Sequence, residues 1–290
     1  MTTTTSETLG DYVLTLSCPE GTGIVHAVTG FLVDVGGNIR ESQQFGDLEN
    51  GKFFMRIDFE TSGATSADEL RERFRLVAER FGMTYELWSA DAPYRTLILV
   101  SKQLHCLNDL LFRASTGNLQ IEVPLVISNH RDAEDMVRSY GIDFEHVPVT
   151  PDTKAMAEAT ILQRIKEHDI HLTVLARYMQ ILSDDMCHQL SGKAINIHHS
   201  FLPSFKGAKP YHQAWERGVK LTGATAHYVT GDLDEGPIIE QEVARVDHTF
   251  TPEQLVAAGA DVEALVLSRA VRWHSQTRVL PNGSRTVVFR

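Results

Sequence analysis

The sequence predicts an α/β protein of two domains. The first is a small ferredoxin-like sandwich with the order βαββαβ, and the second is an open, doubly wound, mostly parallel sheet. Up to about residue 90 the candidate strands alternate apolar and polar residues, whereas after residue 95 they are short, continuous apolar runs separated by helical patterns. Alternation is typical of a sheet with one face on the core, and continuous runs are typical of parallel strands buried on both faces. A chain of 290 residues agrees with two domains at about 150 residues each.

The N-terminal elements follow from periodicity and from turn chemistry. Asn50-Gly51 between two alternating segments predicts a hairpin turn. Ser66 with Glu69 three residues later forms a capping-box pattern, which predicts the start of an amphipathic helix. The predicted order is strand, helix, strand, strand, helix, strand, at 11–17, 24–35, 38–46, 52–60, 66–81 and 83–88.

The later elements alternate between apolar runs and amphipathic helices, as expected for a parallel sheet covered on both faces. Strands are predicted at 96–101, 123–128, 172–176, 194–198, 221–229, 237–246 and 286–289, and helices at 104–115, 132–140, 152–168 and 252–278. The predicted organisation is a disordered tail over 1–10, a first domain over 11–89, a linker over 90–95 and a second domain over 96–290.

Composition excludes several classes of function. The chain has 27 basic and 38 acidic residues and a formal charge of −11, so no nucleic-acid partner is expected. No apolar run approaches the roughly 18 residues of a membrane span, and the N-terminus lacks the pattern of a signal peptide. Three scattered cysteines, Cys18, Cys106 and Cys187, are too few for a disulfide framework. We therefore expect a cytoplasmic protein without membrane contacts.

The densest polar cluster begins with Asn196 and His198, which end a predicted strand. Residues two apart on a strand share a face, so both side chains are predicted to point to the ligand-binding edge of a doubly wound sheet. The alternative interpretation is ordinary polarity at an exposed strand end.

A second cluster is the acidic loop GDLDEGP at 231–237. We predict that Asp234 meets His198, because a carboxylate holds an imidazole in one tautomer and raises its pKa. Asn196 is then placed to donate to a developing oxyanion. Together these residues predict an acyl-transfer site without a nucleophilic side chain, and the alternative is a surface loop rich in turn formers.

Other chemistries have weaker support. His198 and His199 are adjacent on a predicted strand, so we expect them to face opposite sides, and His212 and His227 add no metal-binding spacing. The chain has no GxSxG, GxGxxG or Walker motif. The sequence therefore predicts no metal and no nucleotide cofactor.

At these residues the chain resembles the folate-dependent formyltransferase family. The resemblance rests on three ordered motifs. The first is NIH at 196–198 followed by SFLPSFKG at 200–207, and the second is HYVT at 227–230 followed by DLDEGPI at 232–238. The third is LARYMQIL at 175–182. One departure is His199, where the family motif has proline. The resemblance implies a formyltransferase-like fold for the second domain, no cofactor, and a catalytic trio of Asn196, His198 and Asp234.

The same resemblance implies supporting residues and an activity. His227 is expected beside the trio, and the folate pocket is expected at Met179, Gln180, Leu182, Thr230 and Asp232. The N-terminal domain resembles an ACT regulatory domain, and the two domains together resemble the family members that hydrolyse 10-formyltetrahydrofolate to tetrahydrofolate and formate. That activity supplies formate, including to purine biosynthesis, and balances one-carbon folate pools. Which of His198 and Asp234 acts as the base stays open.

Two other functions remain as alternatives. Family members that formylate glycinamide ribonucleotide have a glycine-rich loop after their first strand, where backbone N–H groups bind the phosphate. This chain has SKQLHC at 101–106, without glycine, and the acidic charge disfavours a tRNA acceptor. Water is therefore the favoured acceptor, ahead of a small amine such as glycinamide ribonucleotide. Hydrolysis is likewise favoured over the third function, that of a regulator that binds folate without catalysis.

The ACT resemblance implies a homo-oligomer and a small effector. Phe54 lies on the otherwise polar face of the strand at 52–60, which suggests a partner surface. Effector binding is expected near Gly21, Gly23 and Asn38, with glycine or methionine as candidates. The alternative is a domain that only oligomerises.

Overall fold

The structure, a computed structural model, describes residues 9–62, 66–202 and 210–290. Residues 1–8 of the expected tail and residues 203–207 of the first motif lie outside this part of the chain. The chain forms two compact units. The first unit comprises Met1–Ala92, Gln276–Leu280 and Val287–Arg290, and the second comprises Pro93–Ser275 and Pro281–Thr286. The division after Ala92 falls within the predicted linker, whereas part of the C-terminal segment, expected in the second domain, belongs to the first unit.

The first unit has the βαββαβ order that the sequence predicts. Its elements are β1 Leu9–Pro19, α1 Ile24–Asp34, β2 Gly37–Asp47, β3 Lys52–Ser62, α2 Ala67–Phe81 and β4 Thr84–Ser89. The strands form one antiparallel sheet in the order β2-β3-β1-β4. Strand β1 is longer than predicted at both ends, because its pairing with β3 runs from Leu9 opposite Ser62 to Pro19 opposite Lys52.

One face of β3 packs on the two helices, as its alternation predicts. Its apolar residues belong to a buried cluster with residues of α1 and α2: Phe53, Met55, Ile57 and Phe59 with Val28, Leu32 and Phe74. The predicted cap of α2 is also present, since the Glu69 backbone N–H donates to Ser66 Oγ at 3.2 Å.

The opposite face of β3 is covered by the C-terminal residues of the same unit. Phe54 is fully buried and packs with Leu280 and Phe289. Arg56 donates to Glu41 at 2.7 Å and to the carbonyl oxygen of Gln276 at 3.2 Å. The prediction that Phe54 marks a partner surface is therefore wrong, because its own chain removes it from solvent. The sequence pattern could not show this cover, which comes from residues more than 220 positions away.

The second unit is built on a seven-stranded sheet in the order β11-β10-β9-β8-β5-β6-β7. Its strands are β5 Thr96–Val100, β6 Leu125–Ser128, β7 Asp143–His146, β8 Leu172–Ala176, β9 Ala194–His198, β10 Leu221–Tyr228 and β11 Ile238–Arg245. Its helices are α3 His105–Ser115, α4 Glu134–Ser139, α5 Lys154–Glu167, α6 Asp184–Gln189, α7 Pro210–Glu216 and α8 Pro252–Ser275. Strands β5 to β9 are parallel, and β10 and β11 are antiparallel to their neighbours.

Some of these elements carry no clear signal in the sequence. β7 is a polar edge strand of four residues, and α6 and α7 have only six and seven residues, which is too short for periodicity to distinguish. Two short strands near the C-terminus, β12 Val279–Asn282 and β13 Arg285–Val288, pair with each other. β13 corresponds to the predicted strand at 286–289, and β12 was not predicted. α8 ends at Ser275, three residues before the end of the predicted helix at 252–278.

The sheet register decides which polar residues meet. β9 lies between the parallel strand β8 and the antiparallel strand β10, and Asn196 stands opposite His227. The carboxyl ends of β5, β8 and β9 therefore open at one edge, where doubly wound sheets bind ligands. None of the described helices combines the length and apolarity needed to cross a membrane.

Candidate active site

Asn196 and His198 line one cavity at the end of β9, as their spacing predicts. The cavity has a volume of about 340 Å³ and is bordered by the segment after β8 and the loop after β10. His198 is 5% exposed, so the interpretation as ordinary polarity of an exposed strand end is wrong. A side chain of this polarity is buried only where it has polar partners or a ligand.

The loop after β10 folds back so that Asp234 faces His198. Tyr228 N–H donates to the carbonyl oxygen of Pro237 at 2.9 Å. A Cβ on Gly236 would lie 1.7 Å from the carbonyl oxygen of Tyr228, so only glycine fits this turn. Asp234 has a left-handed backbone with φ of 57°, and its Oδ1 lies 3.2 Å from Nδ1 of His198. The predicted meeting of Asp234 and His198 is thus present in the structure.

The electrostatics of this pair keep Asp234 ionised. Burial alone raises the pKa of Asp234, but the hydrogen bond from His198, with His227 nearby, outweighs burial and lowers that pKa well below its ordinary value. The carboxylate accepts the Nδ1–H of neutral His198, which leaves the lone pair on Nε2. That Nε2 atom is buried and has no hydrogen-bond partner within the described part of the chain.

His227 supports Asn196 from the neighbouring strand. Its Nδ1 lies 2.9 Å from the carbonyl oxygen of Tyr228, and because a carbonyl only accepts, Nδ1 carries the proton. In the neutral ring Nε2 then accepts from Nδ2 of Asn196 at 3.2 Å. His227 Nε2 also lies 3.8 Å from Asp234 Oδ1. The expected place of His227 beside the trio is therefore what the structure shows.

A further network, which the sequence pattern did not predict, holds the chain where it leaves β9. Thr225 Oγ1 donates to the carbonyl oxygen of Ser200 at 2.9 Å and accepts from the backbone N–H of Leu202 at 3.1 Å. Gln241 on β11 donates to the same Oγ1 at 2.9 Å and to the carbonyl oxygen of Leu202 at 3.1 Å. These bonds fix the segment that follows His198.

The five residues expected to bind folate all line the cavity. Met179, Gln180 and Leu182 lie on the segment after β8, and Thr230 and Asp232 lie on the loop after β10. Met179 is 58% exposed whereas Leu182 is 9% exposed, so the two sit at the mouth and the wall of the cavity respectively.

His199 does not face away from His198, contrary to the prediction. Strand β9 ends at His198, so the alternation of a strand no longer applies to the next residue. The two imidazole centroids lie 5.0 Å apart, and both rings line the cavity. Burial lowers the pKa of His199 to about 4, and the neighbouring Arg177 and His198 add to that effect. His199 is therefore neutral near pH 7.

Arg177 and the residues around it form a buried polar cluster that the sequence did not single out. Arg177 is 7% exposed and has φ of 63°. Its Nε donates to Gln103 Oε1 at 2.8 Å and lies 3.4 Å from Glu263 Oε2. His105 Nε2 lies 2.8 Å from the same oxygen. The only available sequence signal is an arginine directly after a buried strand.

This cluster contains a set of possible metal ligands. Ligand atoms of His105, Cys106 and Glu263 lie within 4.8 Å of one another. Burial, followed by the charge of Glu263, raises the pKa of Cys106 well above its ordinary value, which disfavours the thiolate that metals bind. The Arg177 guanidinium against Glu263 also repels a cation. The side chain of His212, for which the sequence showed no metal-binding spacing, lies outside the described part of the chain.

The residues expected to bind an effector lie in the first unit and are not brought together within one chain. Gly23 has φ of 88° and precedes α1. Among the described residues, no atom beyond the adjacent residues of the chain lies within 4 Å of a Cβ built on Gly21. Asn38 follows the other end of α1 and donates to Glu60 Oε1 at 3.0 Å. A helix of 11 residues is about 16 Å long, so one small effector cannot contact both ends.

The sheet and the Asn–His–Asp arrangement define a class of protein, and a family comparison identifies the same class. Residues 94–271 match the family described as Formyl transferase. A solved glycinamide ribonucleotide transformylase from Symbiobacterium toebii is 28% identical with a TM-score of 0.65, and the match covers 71% of this chain and 98% of that one.

Relatives that match nearly the whole chain identify a particular group within this family. A formyltetrahydrofolate deformylase from Corynebacterium sp. (strain P-1) is 57% identical over 280 residues, which cover 96% of this chain and 98% of that protein. The crystal structure of formyltetrahydrofolate deformylase from Burkholderia mallei is 50% identical with a TM-score of 0.93, and the match covers 97% of this chain and 100% of that one. The chain belongs to the formyl transferase family and, within it, to the formyltetrahydrofolate deformylases.

Proposed function

We propose that this protein hydrolyses 10-formyltetrahydrofolate to tetrahydrofolate and formate. Its relationship to formyltetrahydrofolate deformylases extends over nearly the whole chain. The observation that carries the proposal is the His198–Asp234 pair. Nδ1 of His198 faces the carboxylate at 3.2 Å, and Nε2 is buried beside the cavity with no partner among the residues that the structure describes. This is the arrangement of a general base that awaits a water molecule.

His198 is the base in this mechanism, and Asp234 acts through it. Because the pKa of Asp234 is well below its ordinary value, the carboxylate is a weak base but a strong partner for an imidazolium. Nε2 of His198 takes a proton from water as the water oxygen attacks the formyl carbon. The imidazolium then gives the proton to N10 as the C–N bond breaks, and Asp234 stabilises the charge meanwhile.

Asn196 stabilises the oxyanion that forms on the formyl oxygen. Its amide nitrogen donates one hydrogen to His227 at 3.2 Å, which fixes the plane of the amide, and the same nitrogen keeps a second hydrogen for the ligand. A donor held in this way before the reaction is worth more than one that must reorient during it.

The folate is held by the walls of the same cavity. Leu182 and Met179 offer apolar surface to the pterin and benzoate rings, and Gln180 is a side-chain partner on the same segment. Thr230 Oγ1 donates to the carbonyl oxygen of Asp232 at 3.0 Å, which shapes the loop that offers its backbone to the pterin. No step of the proposed mechanism uses a metal ion. We therefore expect hydrolysis to continue in the presence of a chelator.

Water is favoured over an amine acceptor because side chains fill the region after β5. Ser101 Oγ donates to Asn129 Oδ1 at 2.7 Å and accepts from Met179 N–H at 3.0 Å. Gln103 is bonded to Arg177, and His105 contacts Glu263. These side chains occupy the segment where an acceptor phosphate would need free backbone N–H groups.

The decisive experiment measures formate release from 10-formyltetrahydrofolate by the purified protein, with and without glycinamide ribonucleotide. We expect release with water alone and no increase with the amine. Transfer to the amine without hydrolysis would instead support the formyltransferase alternative. A folate-binding regulator would bind the substrate without turnover, and its binding would survive alanine at Asp234.

Effector binding and homo-oligomerisation through the first unit stay part of this proposal, with glycine and methionine as the effectors. Gly23 and Asn38 lie at opposite ends of α1, so an effector that touches both would bridge two chains. Calorimetric titration with each amino acid, combined with light scattering, tests both points. A cytoplasmic location is also proposed, supported by Cys18, Cys106 and Cys187, which are free thiols.

A further inference from the structure

Arg177 lies beside His198 at the carboxyl edge of the sheet. β8 ends at Ala176, so Arg177 is the first residue beyond it. The parallel register of β8 and β9 ends with Leu175 opposite Asn196, so Arg177 and His198 each follow two residues later at the same edge of the sheet. Both side chains line the cavity. The cavity of the proposed base therefore also contains a cation.

Within the described part of the chain, the partners of the Arg177 guanidinium all lie on its Nε side. Nε donates to Gln103 Oε1 at 2.8 Å and lies 3.4 Å from Glu263 Oε2. NH1 is buried and has no hydrogen-bond partner among the described residues. Burying a charged donor without an acceptor is costly, and in native proteins such a group is satisfied by ordered water, an ion or a ligand.

The backbone at Arg177 is held in a costly conformation as well. Its φ of 63° lies in the left-handed region, where a residue with a side chain is strained. The Arg177 carbonyl oxygen accepts from Ser101 N–H at 3.3 Å, and the side chain is anchored by Gln103. Strain of this kind persists where the surroundings fix it, and it clusters at ligand-binding positions.

Both carboxylates in this part of the site have partners of their own, so neither occupies the free edge of the guanidinium. Asp234 faces Nδ1 of His198 at 3.2 Å. Glu263 is engaged on the Nε side, where His105 also contacts it at 2.8 Å. His199, the other basic ring in this part of the cavity, is neutral near pH 7 because burial lowers its pKa to about 4. The free N–H groups of a guanidinium match a carboxylate, which accepts two parallel hydrogen bonds.

We propose that NH1 of Arg177 binds the carboxylate of formate as it forms and leaves. The inference rests on the proposed hydrolysis. In that reaction the water oxygen forms a new C–O bond and the C–N10 bond breaks. One water proton goes to N10 through His198, and the second is released as formic acid ionises. The anion is thus produced next to the unpartnered edge of Arg177, and no redox partner or other co-reactant is required.

The glutamate portion of folate also carries carboxylates, so the experiment separates the two sources. Formate and p-aminobenzoylglutamate are each titrated against the folate-free protein by ligand-observed NMR, with sodium chloride at equal ionic strength as the reference. Formate binding by the wild type is expected in the millimolar range, and Arg177→Met is expected to weaken it by about tenfold or more. Binding of p-aminobenzoylglutamate is expected to be unchanged by this substitution.

Two further variants keep the experiment decisive. The double variant Arg177→Met/Glu263→Gln removes both charges, so it avoids leaving Glu263 buried without its partner, and it is also expected to lose formate binding. Arg95→Gln is the matched control, because Arg95 is paired with Glu122 in the same unit and does not line the cavity. It is expected to bind formate like the wild type. Inhibition of turnover by added formate gives a second readout and should follow the same order.

The outcomes separate the inference from the proposed function. If the wild type hydrolyses its substrate but folded Arg177 variants bind formate and are inhibited by it as the wild type is, the formate site is wrong and the hydrolysis stands. The same conclusion follows if the wild type hydrolyses its substrate but does not bind formate. It also follows if the substitutions weaken the binding of p-aminobenzoylglutamate and leave the binding of formate unchanged. If the wild type releases no formate from 10-formyltetrahydrofolate, the proposed function itself fails.

Discussion

Two histidines of the second unit, His198 and His274, differ in how their ring nitrogens are satisfied. His274 on α8 has both nitrogens against tyrosine hydroxyls, Nε2 with Tyr94 at 2.9 Å and Nδ1 with Tyr228 at 2.7 Å. His198 has Asp234 at Nδ1 and no partner at Nε2 within the described residues. A neutral imidazole offers one donor and one acceptor. His274 uses both inside the fold, whereas His198 leaves its acceptor for a ligand.

His227 lies between these extremes. Its Nδ1–H donates to the carbonyl oxygen of Tyr228, and its Nε2 contacts Asn196. It is satisfied, but one of its partners is itself part of the proposed catalytic trio. The comparison therefore predicts that substitutions lower the rate less the farther the changed side chain lies from Nε2 of His198.

The largest loss of rate is expected for Asp234→Asn. The amide cannot stabilise the imidazolium of His198 and can donate to Nδ1, which favours the wrong tautomer. We expect kcat for formate release to fall by about 10³-fold or more, by analogy with carboxylate-to-amide changes at other histidine bases. Stopped assays of formate release measure this. A variant that keeps the folded melting profile and near-normal kcat would show that Asp234 does not act through His198.

Removing the oxyanion donor with Asn196→Ala is expected to lower kcat by about 10²- to 10³-fold. The matched control is Asn118→Ala, because the Asn118 amide donates to the hydroxyl of Thr116 and does not line the cavity. Substrate affinity, followed by folate fluorescence, should change much less than kcat. A loss confined to affinity would assign Asn196 to substrate binding instead.

Changing His227 to leucine removes the acceptor that fixes the Asn196 amide. Supporting residues of this kind typically contribute about 10- to 100-fold, so the loss should be smaller than for Asn196→Ala. In the double variant the two losses should not add, because both act through the same amide. Additive losses, measured in a double-mutant cycle on kcat, would separate His227 from Asn196.

His274→Phe should have the smallest effect on the rate and a measurable effect on stability. Burial lowers the pKa of His274 to about 4 from an ordinary value of 6.5. Below pH 6.5 the unfolded chain therefore binds a proton that the folded protein does not, and stability falls as the pH falls. We expect this group to account for about 1–2 kcal/mol of the loss between pH 7 and pH 5.

Denaturant unfolding at both pH values tests this expectation. The His274→Phe variant should be less stable at pH 7, since the two tyrosine hydroxyls lose a partner, but its stability should depend less on pH. A variant with an unchanged pH dependence would show that another group, such as His199, dominates acid destabilisation. A large loss of kcat would break the contrast between the two histidines.

The sequence alone determined the two-unit α/β architecture and the trio. Strands that alternate apolar and polar residues are typically buried on one face, and strands with continuous apolar runs are buried on both faces. This distinction does not depend on which residues pack together. Asn196 and His198 share a face because side chains along a strand alternate with a period of two. Asp234 lies in a loop bounded by glycines, and this loop belongs to one of the three ordered motifs. Predictions that depended on periodicity within one strand, such as the side of β3 that faces the helices and the shared face of Asn196 and His198, agree with the structure.

Tertiary structure decided what lies between elements distant in the chain. Phe54 looked like a partner surface until residues 280 and 289 of the same unit covered it, and His199 turned toward His198 because the strand stops one residue earlier. Arg177 shows this most clearly, since its partners come from positions 103 and 263. Whether a buried polar atom is satisfied depends on every neighbour in space, and spacing along one chain segment does not carry that information.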